Sequence, residues 1–223
     1  MKLIFIIFGL IFLNCFLCMQ SPGNMIKNSS IPIKIKWVDH LSGDFSFKNN
    51  WSYPEGIYKT EFGQLSCDGI YPSEIEGMKD STGRIYKDSL IAFYNIIDTS
   101  HLAHSIQGKA WCYEYNGADF IEVTRLSNDS VHCFTLTNIS THCSLNIDIH
   151  RNSCSASIDL NSISNSGHTI FHCIQGSIII DKSLWSKGVM KAVFSFDFEH
   201  KENPKESMFW KGKIYSEIKK SQN

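Results

Sequence analysis

The hydrophobic pattern alternates most regularly near the carboxyl-terminal end of the chain, between residues 176 and 218. Apolar residues occupy every second position from Ala192 to Phe198, and the alternation resumes from Trp210 to Ile218 after a polar turn. A period of two residues turns one side of each segment toward a core, so the pattern predicts two antiparallel strands with one buried face. The isoleucine run 178–180 predicts a third strand of the same meander.

Shorter apolar runs predict further strands along most of the chain. The first is Ile31–Val38, where isoleucine and tryptophan alternate with lysine. Runs separated by turn residues such as Asn116-Gly117 predict the later strands, at 102–115, 120–126, 131–137, 144–150 and 155–160. Because such short turns join antiparallel neighbours, the sequence predicts a mainly β fold, either an antiparallel β-sandwich or an open barrel.

One helix of length is predicted, from about residue 84 to residue 98, with a cap near Ser81 or Thr82. Its apolar positions recur at helical spacing: Tyr86, Leu90, Phe93, Tyr94 and Ile97. A single helical turn is predicted at 73–78, with Ser73 as its N-cap.

The region 41–69 is rich in aromatic residues and has no long periodic run. Turn residues such as Pro54-Glu55-Gly56 divide it into short extended pieces. Two interpretations are open for the aromatic side chains. One interpretation is that they form a ligand surface. The other is that they close the open end of a β core, which is the commoner role of such aromatic side chains.

The charge balance argues against nucleic acid as a partner. The 223 residues carry 21 basic and 22 acidic side chains, a formal net charge of −1, with no basic block. A hydrophobic content of 43% is typical of a globular protein. We therefore expect residues 31–223 to form one β-rich domain.

Residues 1–21 have the features of an export signal. Lys2 precedes a long apolar run, and a polar, flexible tether follows at 22–30. Cys15 directly follows the apolar core, where a lipoprotein signal places its lipidated cysteine, although Asn14 replaces the usual small residue. The alternatives are cleavage near Ser21, with both signal cysteines serving as apolar filler, and an uncleaved membrane helix.

Eight cysteines occur in the chain, and the six beyond the signal are candidates for zinc ligation, for disulfides or for packing as small hydrophobes. Three are preceded by histidine, as His132-Cys133, His142-Cys143 and His172-Cys173. Neighbours on a strand point to opposite faces, which argues against zinc. Hairpin geometry predicts that Cys133 faces Ile147 and that Cys154 faces His150. Any disulfides are therefore expected between non-adjacent strands, with fifteen possible connectivities.

Other candidate sites are weaker. His101 and His104 are candidate metal ligands, or His101 a base beside Asp98, but a helix-to-strand junction commonly carries such polar residues. Asp80 opens a segment that lacks the further acidic ligands of a calcium loop. No catalytic or cofactor motif occurs, so no cofactor and no catalytic residues are predicted. Four asparagines begin an N-x-S/T triplet, the acceptor sequence for N-glycosylation in secreted proteins: Asn28, Asn50, Asn128 and Asn138.

Residues 104–218 resemble small exported β-domains found among lipoproteins of the Bacteroidetes type. The likeness consists of Gln107-Gly108-Lys109-Ala110-Trp111 and of the glycine-rich and aromatic strands 176–180, 192–196 and 210–214. The resemblance implies a lipid-anchored β-sandwich and carries over no catalytic residue.

These observations predict a non-enzymatic exported domain, lipid-anchored at Cys15, that binds an unknown protein or glycan. Its location would be the cell envelope, with the anchor as its only membrane contact, or the secreted fraction if Cys15 is not modified. The alternatives are an exported hydrolase and a eukaryotic secreted glycoprotein with disulfides.

Overall fold

A computed structural model describes most of the chain beyond the tether: residues 31–67, 73–136, 141–164, 167–199 and 208–221. Cys15, the rest of the signal and the tether lie outside these residues. None of the helices in the described residues is long and apolar enough to cross a membrane.

The fold is mainly β, as predicted. The strands of the described residues, in chain order, are β1 (Ile33–Val38), β2 (Trp51–Ser52), β3 (Ile57–Lys59), β4 (Leu65–Cys67), β5 (Leu102–Ala103), β6 (Ile106–Trp111), β7 (Ile121–Ser127), β8 (Ser130–Thr135), β9 (Cys143–His150), β10 (Ser153–Asn161), β11 (His168–Asp181), β12 (Val189–Phe198), β13 (Met208–Glu217) and β14 (Lys219–Lys220). The α-helices are α1 (Ser73–Glu76), α2 (Leu90–Tyr94) and α3 (Lys182–Trp185); 3-10 turns span Ser46–Asn49 and Lys87–Ser89.

Ten strands form one large curled sheet, in the order β14-β7-β8-β9-β10-β1-β11-β12-β13-β6. The two ends of this half-barrel meet where Ser105 donates its backbone N–H to the carbonyl of Asp119 at 2.9 Å. Ile121 closes the same seam by donating its N–H to Ser105 Oγ at 2.7 Å. The open-barrel alternative is thus nearer to the structure than a sandwich of two separate sheets.

The sheet is mixed, so the prediction of an antiparallel sheet is only partly right. β1 runs parallel to β11 and antiparallel to β10, while β14 runs parallel to β7. The strands β10 and β11 pair with each other at one end and separate at the other, where β1 inserts between them. A strand from the start of the domain therefore joins a meander from its end, and local turn lengths carry no information about such a pairing.

The carboxyl-terminal meander is confirmed as β11, β12 and β13. Phe194, Phe196 and Phe198 are buried on one side of β12, in a stacked and edge-on series. Trp210 of β13 lies opposite Phe196 and has no exposed surface. Each of these side chains contributes about 1.5–3 kcal/mol by burial, so this meander anchors the main core.

The predicted long helix is wrong in extent. Only Leu90–Tyr94 are α-helical, because Lys79 and Ile85 form a β-bridge that holds the preceding segment in a hairpin. Asp80 Oδ1 accepts hydrogen bonds from the backbone of Thr82 and Arg84, so Thr82 belongs to this hairpin and caps no helix. The shorter predicted turn is confirmed as the helix Ser73–Glu76.

Residues 57–97 leave the sheet and form a second, smaller core; we call this region the excursion. Its core, among the described residues, consists of the buried apolar residues Cys67, Ile75, Ile85, Phe93 and Ile97. The chain enters and leaves the excursion through a two-stranded pairing of β2 with β5, which we call the neck. The predicted strand 102–115 is therefore interrupted, because its first residues pair with β2 and only β6 joins the sheet.

The hairpin registers follow the predictions in one case of two. Cys133 does lie opposite Ile147. Cys154 lies opposite Ile149 rather than His150, because the turn is only two residues long, with Arg151 at φ 53°.

Candidate functional site

A cleft of about 170 Å³ lies where the neck meets the seam of the sheet. Its walls come from several elements and include Phe47, Asn50, His104, Gly108, Tyr115 and Asp119. This volume is below the roughly 300–1,000 Å³ of pockets that enclose a drug-sized ligand. The cleft itself therefore has room for a small group, and a larger ligand would extend over the surrounding surface.

Three polar side chains meet at the edge of the cleft. Ser52 Oγ lies 2.6 Å from His104 Nε2, and Asp119 Oδ2 lies 3.6 Å from the same ring nitrogen. The neck positions Ser52 and His104, since β2 ends at Ser52 and His104 donates its backbone N–H to Asn50 at 3.0 Å. Asp119 is the last exposed residue before β7, so its carboxylate faces both the cleft and the solvent.

The contacts of His104 differ from those of a serine hydrolase. In a catalytic triad the carboxylate binds one ring nitrogen and the serine binds the other, so that the histidine is oriented and then takes the serine proton. Here Ser52 and Asp119 both contact Nε2, and the Ser52 hydroxyl lies 3.5 Å from Asp119 Oδ2. The three side chains form a polar network that can donate hydrogen bonds to a ligand and accept hydrogen bonds from it. The Ser52 hydroxyl does not have the geometry of a catalytic nucleophile.

Glu55 adds a second carboxyl group beside Asp119. The pKa of Glu55 is raised to about 8, mainly by burial and also by the negative charge of Asp119, while a hydrogen bond with the backbone of Asp119 opposes the shift. Its Oε2 atom is buried and has no hydrogen-bond partner in the described part of the chain. At neutral pH, Glu55 is therefore mostly protonated and can act as a hydrogen-bond donor.

Beneath the cleft, the indole of Trp210 carries a second polar atom without a partner. Its Nε1 is buried and finds no acceptor in the described residues. A Cβ placed on Gly108 would lie 3.5 Å from this nitrogen, and the Tyr115 ring packs edge-on against the indole at 4.8 Å. Both neighbours line the cleft, so an unused donor lies directly below its floor.

The neck and the residues next to it in the chain also carry an aromatic platform, formed by Trp51, Tyr53 and His101. The Trp51 and His101 rings stack with centroids 3.8 Å apart, and Tyr53 packs edge-on against both rings. Trp51 is 53% exposed. A flat aromatic surface of this kind offers a stacking partner to the apolar face of a ligand, with low conformational entropy to lose.

The candidate residues from the sequence are not gathered in one place. His101 belongs to the aromatic platform, and His104 belongs to the polar group, so the two do not form a shared metal site. The three His-Cys dipeptides have their cysteines buried, and His132 instead bonds Asp148 at 2.7 Å. The described residues contain no cluster of histidine, cysteine and carboxylate that could hold a metal.

Of the other sequence candidates, Asn50 and Asn128 are exposed, and Asn50 lines the cleft. Cys15, Asn28 and Asn138 lie outside the described residues. Comparison of the chain with family models, with curated proteins and with solved structures found no match to any of them.

Sequence reasoning missed most of this site. Ser52, Glu55, Tyr115 and Asp119 come from three separate loops and strand ends, and none belongs to a catalytic or metal-binding motif. The aromatic content of residues 41–69 was the one available signal. Phe45 and Phe47 are buried, as the interpretation of a closed β core requires, whereas Trp51 is exposed.

Proposed function

We propose that this protein is an exported, non-enzymatic binding domain whose ligand is a glycan. The observation that supports this most strongly is the exposed aromatic platform of Trp51, Tyr53 and His101, carried by the same neck as the polar side chains at the edge of the cleft. Sugars present apolar C–H faces that stack on aromatic rings and hydroxyl groups that pair with carboxylate and amide oxygens. The platform supplies the first kind of contact, and Asp119 with Asn50 supplies the second.

The cleft is suited to one end of such a ligand. Its volume of about 170 Å³ admits a single small unit, and further units would then lie across the exposed face of Trp51. Glu55 and Trp210 each carry a buried polar atom without a partner in the described part of the chain. The charge of Glu55 helps to raise the pKa of Tyr115, and the Trp210 indole packs against the Tyr115 ring. A hydroxyl group that enters the cleft can both donate and accept, and is therefore chemically suited to these neighbours.

We propose, further, that export and a lipid on Cys15 hold the domain at the cell envelope. The support is the sequence of the first thirty residues: a basic start, an apolar run, a cysteine and a flexible tether. Two or three acyl chains, at about 0.8 kcal/mol per buried methylene, give stable anchoring without any other membrane contact. The test is fractionation of the wild type and of Cys15→Ser, in which only the wild type is expected with the membrane. Equal partitioning of both forms would disprove the anchor.

The glycan proposal is tested by screening the purified mature protein against an array of defined oligosaccharides, followed by calorimetric titration of the best one. We expect Trp51→Ala and Asp119→Asn each to weaken binding by about tenfold or more, which corresponds to about 1.4 kcal/mol. Asp119→Asn keeps the shape of the side chain, so its effect reports the charge and hydrogen-bond pattern.

Trp111→Ala is the matched control, because Trp111 is also a largely exposed tryptophan, at 44%, and does not line the cleft. Its affinity should equal that of the wild type. The proposal is wrong if no oligosaccharide binds at millimolar concentration, or if the control loses as much affinity as Trp51→Ala.

A hydrolase is the second candidate, and one observation favours it. Glu55 and Asp119 are neighbouring carboxyl groups, and a carboxyl group whose pKa is raised to about 8, as that of Glu55 is, suits a catalytic acid. In this alternative, Glu55 would protonate a leaving group while Asp119 accepts a proton from water or stabilises positive charge.

The same oligosaccharides distinguish the two candidates. A hydrolase would cleave the bound sugar, lose activity above about pH 8 as Glu55 ionises, and be inactive as Glu55→Gln. A binding domain would return the sugar intact across this pH range, and Glu55→Gln would change affinity only.

A further inference from the structure

Two thiols from distant parts of the sheet lie in contact. Cys112 Sγ and Cys143 Sγ are 3.2 Å apart. Cys112 directly follows β6, and Cys143 begins β9, and these strands are not neighbours in the sheet. A disulfide bond is about 2.05 Å long, so a movement of about 1 Å of either sulfur would bring the pair to bonding distance.

We propose that Cys112 and Cys143 form a disulfide that fixes the wall of the cleft. The bond forms by exchange with a disulfide donor, such as an oxidoreductase of the export compartment or oxidised glutathione. Each thiol gives up its proton, the new S–S bond takes the place of the donor's, and the donor leaves as two thiols after accepting both electrons.

The surroundings of the other cysteines single out this pair. Cys133 Sγ lies 3.6 Å from Met190 Sδ, and Cys173 donates to the carbonyl of Gln175 at 3.1 Å. Cys67 belongs to the separate core of the excursion. Burial raises the pKa of the Cys154 and Cys173 thiols, and the hydrogen bond with Cys143 together with burial also raises the pKa of Cys112. The Sγ–Sγ distance of 3.2 Å, and not thiol acidity, thus distinguishes the pair Cys112–Cys143. Of the fifteen connectivities that six cysteines allow, the structure therefore favours those that contain the pair Cys112–Cys143.

An oxidant can reach this pair from one side. Cys143 is buried, but Cys112 is partly exposed and lines a shallow cavity of about 130 Å³ with Trp111, Tyr113 and Met208. Exchange would begin at Cys112, and Cys143 would then attack the mixed disulfide.

The disulfide would act on the cleft through residues 112–119, which we call the cleft wall. This segment carries Tyr115 and Asp119, and hydrogen bonds already tie it to the two residues that precede β9. His142 donates its N–H to the Glu114 carbonyl at 2.9 Å, and Asn116 donates its N–H to Thr141 Oγ1 at 3.1 Å. A covalent bond from Cys112 to Cys143 adds a permanent link beside these weaker ones.

The bond is tested on the full mature chain, purified reduced and then incubated with a defined ratio of reduced to oxidised glutathione. Accessible free thiols are first blocked with an alkylating reagent, and peptides are then mapped. We expect to find Cys112 linked to Cys143. The other cysteines of residues 31–223 should react with the reagent only after the protein is denatured. Because glutathione replaces the cellular oxidant, this test is independent of whether the protein is exported and of whether it binds a glycan.

The expected effect is a rise in melting temperature of about 5–10 °C on oxidation, since the bond closes a loop of roughly 30 residues. The double variant Cys112→Ser/Cys143→Ala should show no rise, and Cys154→Ala, the matched control, should show the full rise. The proposal is overturned if the wild type stays fully reduced under glutathione conditions that oxidise ordinary structural disulfides. It is also overturned if Cys112 is found linked to another cysteine.

Discussion

The curled sheet and the excursion are two solutions to the same problem of burying apolar side chains. In the sheet, nearly every strand contributes alternating residues to one continuous core. The excursion has five buried apolar residues among those described: Cys67, Ile75 and Phe93 lie in elements of three to five residues, and Ile85 and Ile97 lie outside them. The sheet is therefore stabilised by many strands that bury alternate side chains in the same core, whereas the stability of the excursion depends on a few side chains and on the turns between them.

This difference affects where the candidate site lies. Trp51 and Ser52 belong to the neck, where the excursion joins the sheet, and Glu55 and His104 lie within three residues of it in the chain. The sheet contributes Gly108 and Trp210 as a fixed floor. Binding residues carried on loops over a rigid scaffold are a common arrangement, since loops can vary while the scaffold keeps its geometry.

The largest expected effect is the loss of a sheet aromatic. Phe196→Ala removes a side chain with no exposed surface that stacks on Phe194 and packs edge-on against Phe198. We expect a loss of about 3–5 kcal/mol in the free energy of unfolding, a large share of the roughly 5–15 kcal/mol of a typical domain. Denaturant titration measures it. Phe209→Ala, on the opposite side of β13, should cost less than half as much, and equal costs would contradict a one-sided core.

The corresponding change in the excursion should have a local result. Phe93→Ala removes the fully buried ring of α2 and should destabilise the excursion by about 3 kcal/mol. Native-state hydrogen exchange should show loss of protection in residues 57–97 and unchanged protection in β9 and β12. Ile91→Ala is the control in the same helix, because Ile91 is 81% exposed. Equal loss of protection in the sheet would mean that the two cores unfold as one unit.

The same contrast explains which parts of the structure the sequence predicts. Strands such as β9, β10 and β12 follow from their period of two residues, and their bounds differ from the predictions by a few residues at most. The insertion of β1 between β10 and β11 does not follow from any local pattern, because it depends on the pairing of segments more than a hundred residues apart. The predicted helix at 84–98 failed because a short bridge and the turn at Gly83 outweighed a helical spacing.

The candidate site was still less predictable, for a related reason. Its residues gain their properties from their neighbours: Glu55 has a raised pKa only because the fold buries it beside Asp119. Nothing in the residues around Glu55 indicates that burial. The contact between Cys112 and Cys143 likewise depends on how far the sheet curls.

An intermediate effect is expected from pH, and it tests the neck directly. The folded-state pKa of Glu55, about 8, is above its ordinary value of 4.5, so the folded protein binds more protons than the unfolded chain between these limits. Stability is therefore expected to fall as pH rises from about 4.5 to about 8. After allowance for partial exposure, the loss is about 1–3 kcal/mol.

Glu55→Gln should remove this dependence, because glutamine does not titrate. The comparison of wild type with variant at each pH separates the contribution of Glu55 to stability from that of His132, whose pKa is raised by its hydrogen bond to Asp148. The measurement is the denaturant midpoint from pH 5 to pH 9. Parallel curves for the two proteins would mean that Glu55 is ionised across the whole range.

A smaller effect is expected at the turns of the excursion. Gly83 has φ +81°, and a Cβ there would meet only Tyr58 Oη at 3.9 Å, so the cost of Gly83→Ala is conformational and not steric. We expect a loss of about 1 kcal/mol, confined by hydrogen exchange to residues 57–97. A gain in stability would show that this turn does not need the left-handed conformation.

The smallest effect is expected at a turn of the sheet. Arg151 has φ 53° in the two-residue turn between β9 and β10, and its Nε lies 3.3 Å from Asp129 Oδ2 on the exposed surface. Arg151→Gly relieves the left-handed strain of about 1 kcal/mol. It also raises the conformational entropy of the unfolded chain and removes an ion pair worth at most about 1 kcal/mol, and both of these effects destabilise the folded protein. These contributions oppose one another, so we expect a net change within about 0.5 kcal/mol. Eight register pairs between β9 and β10 hold this hairpin, whatever residue stands in its turn. A loss as large as that of Gly83→Ala, measured in the same denaturant series, would mean that turns and not strand pairing determine the sheet as well.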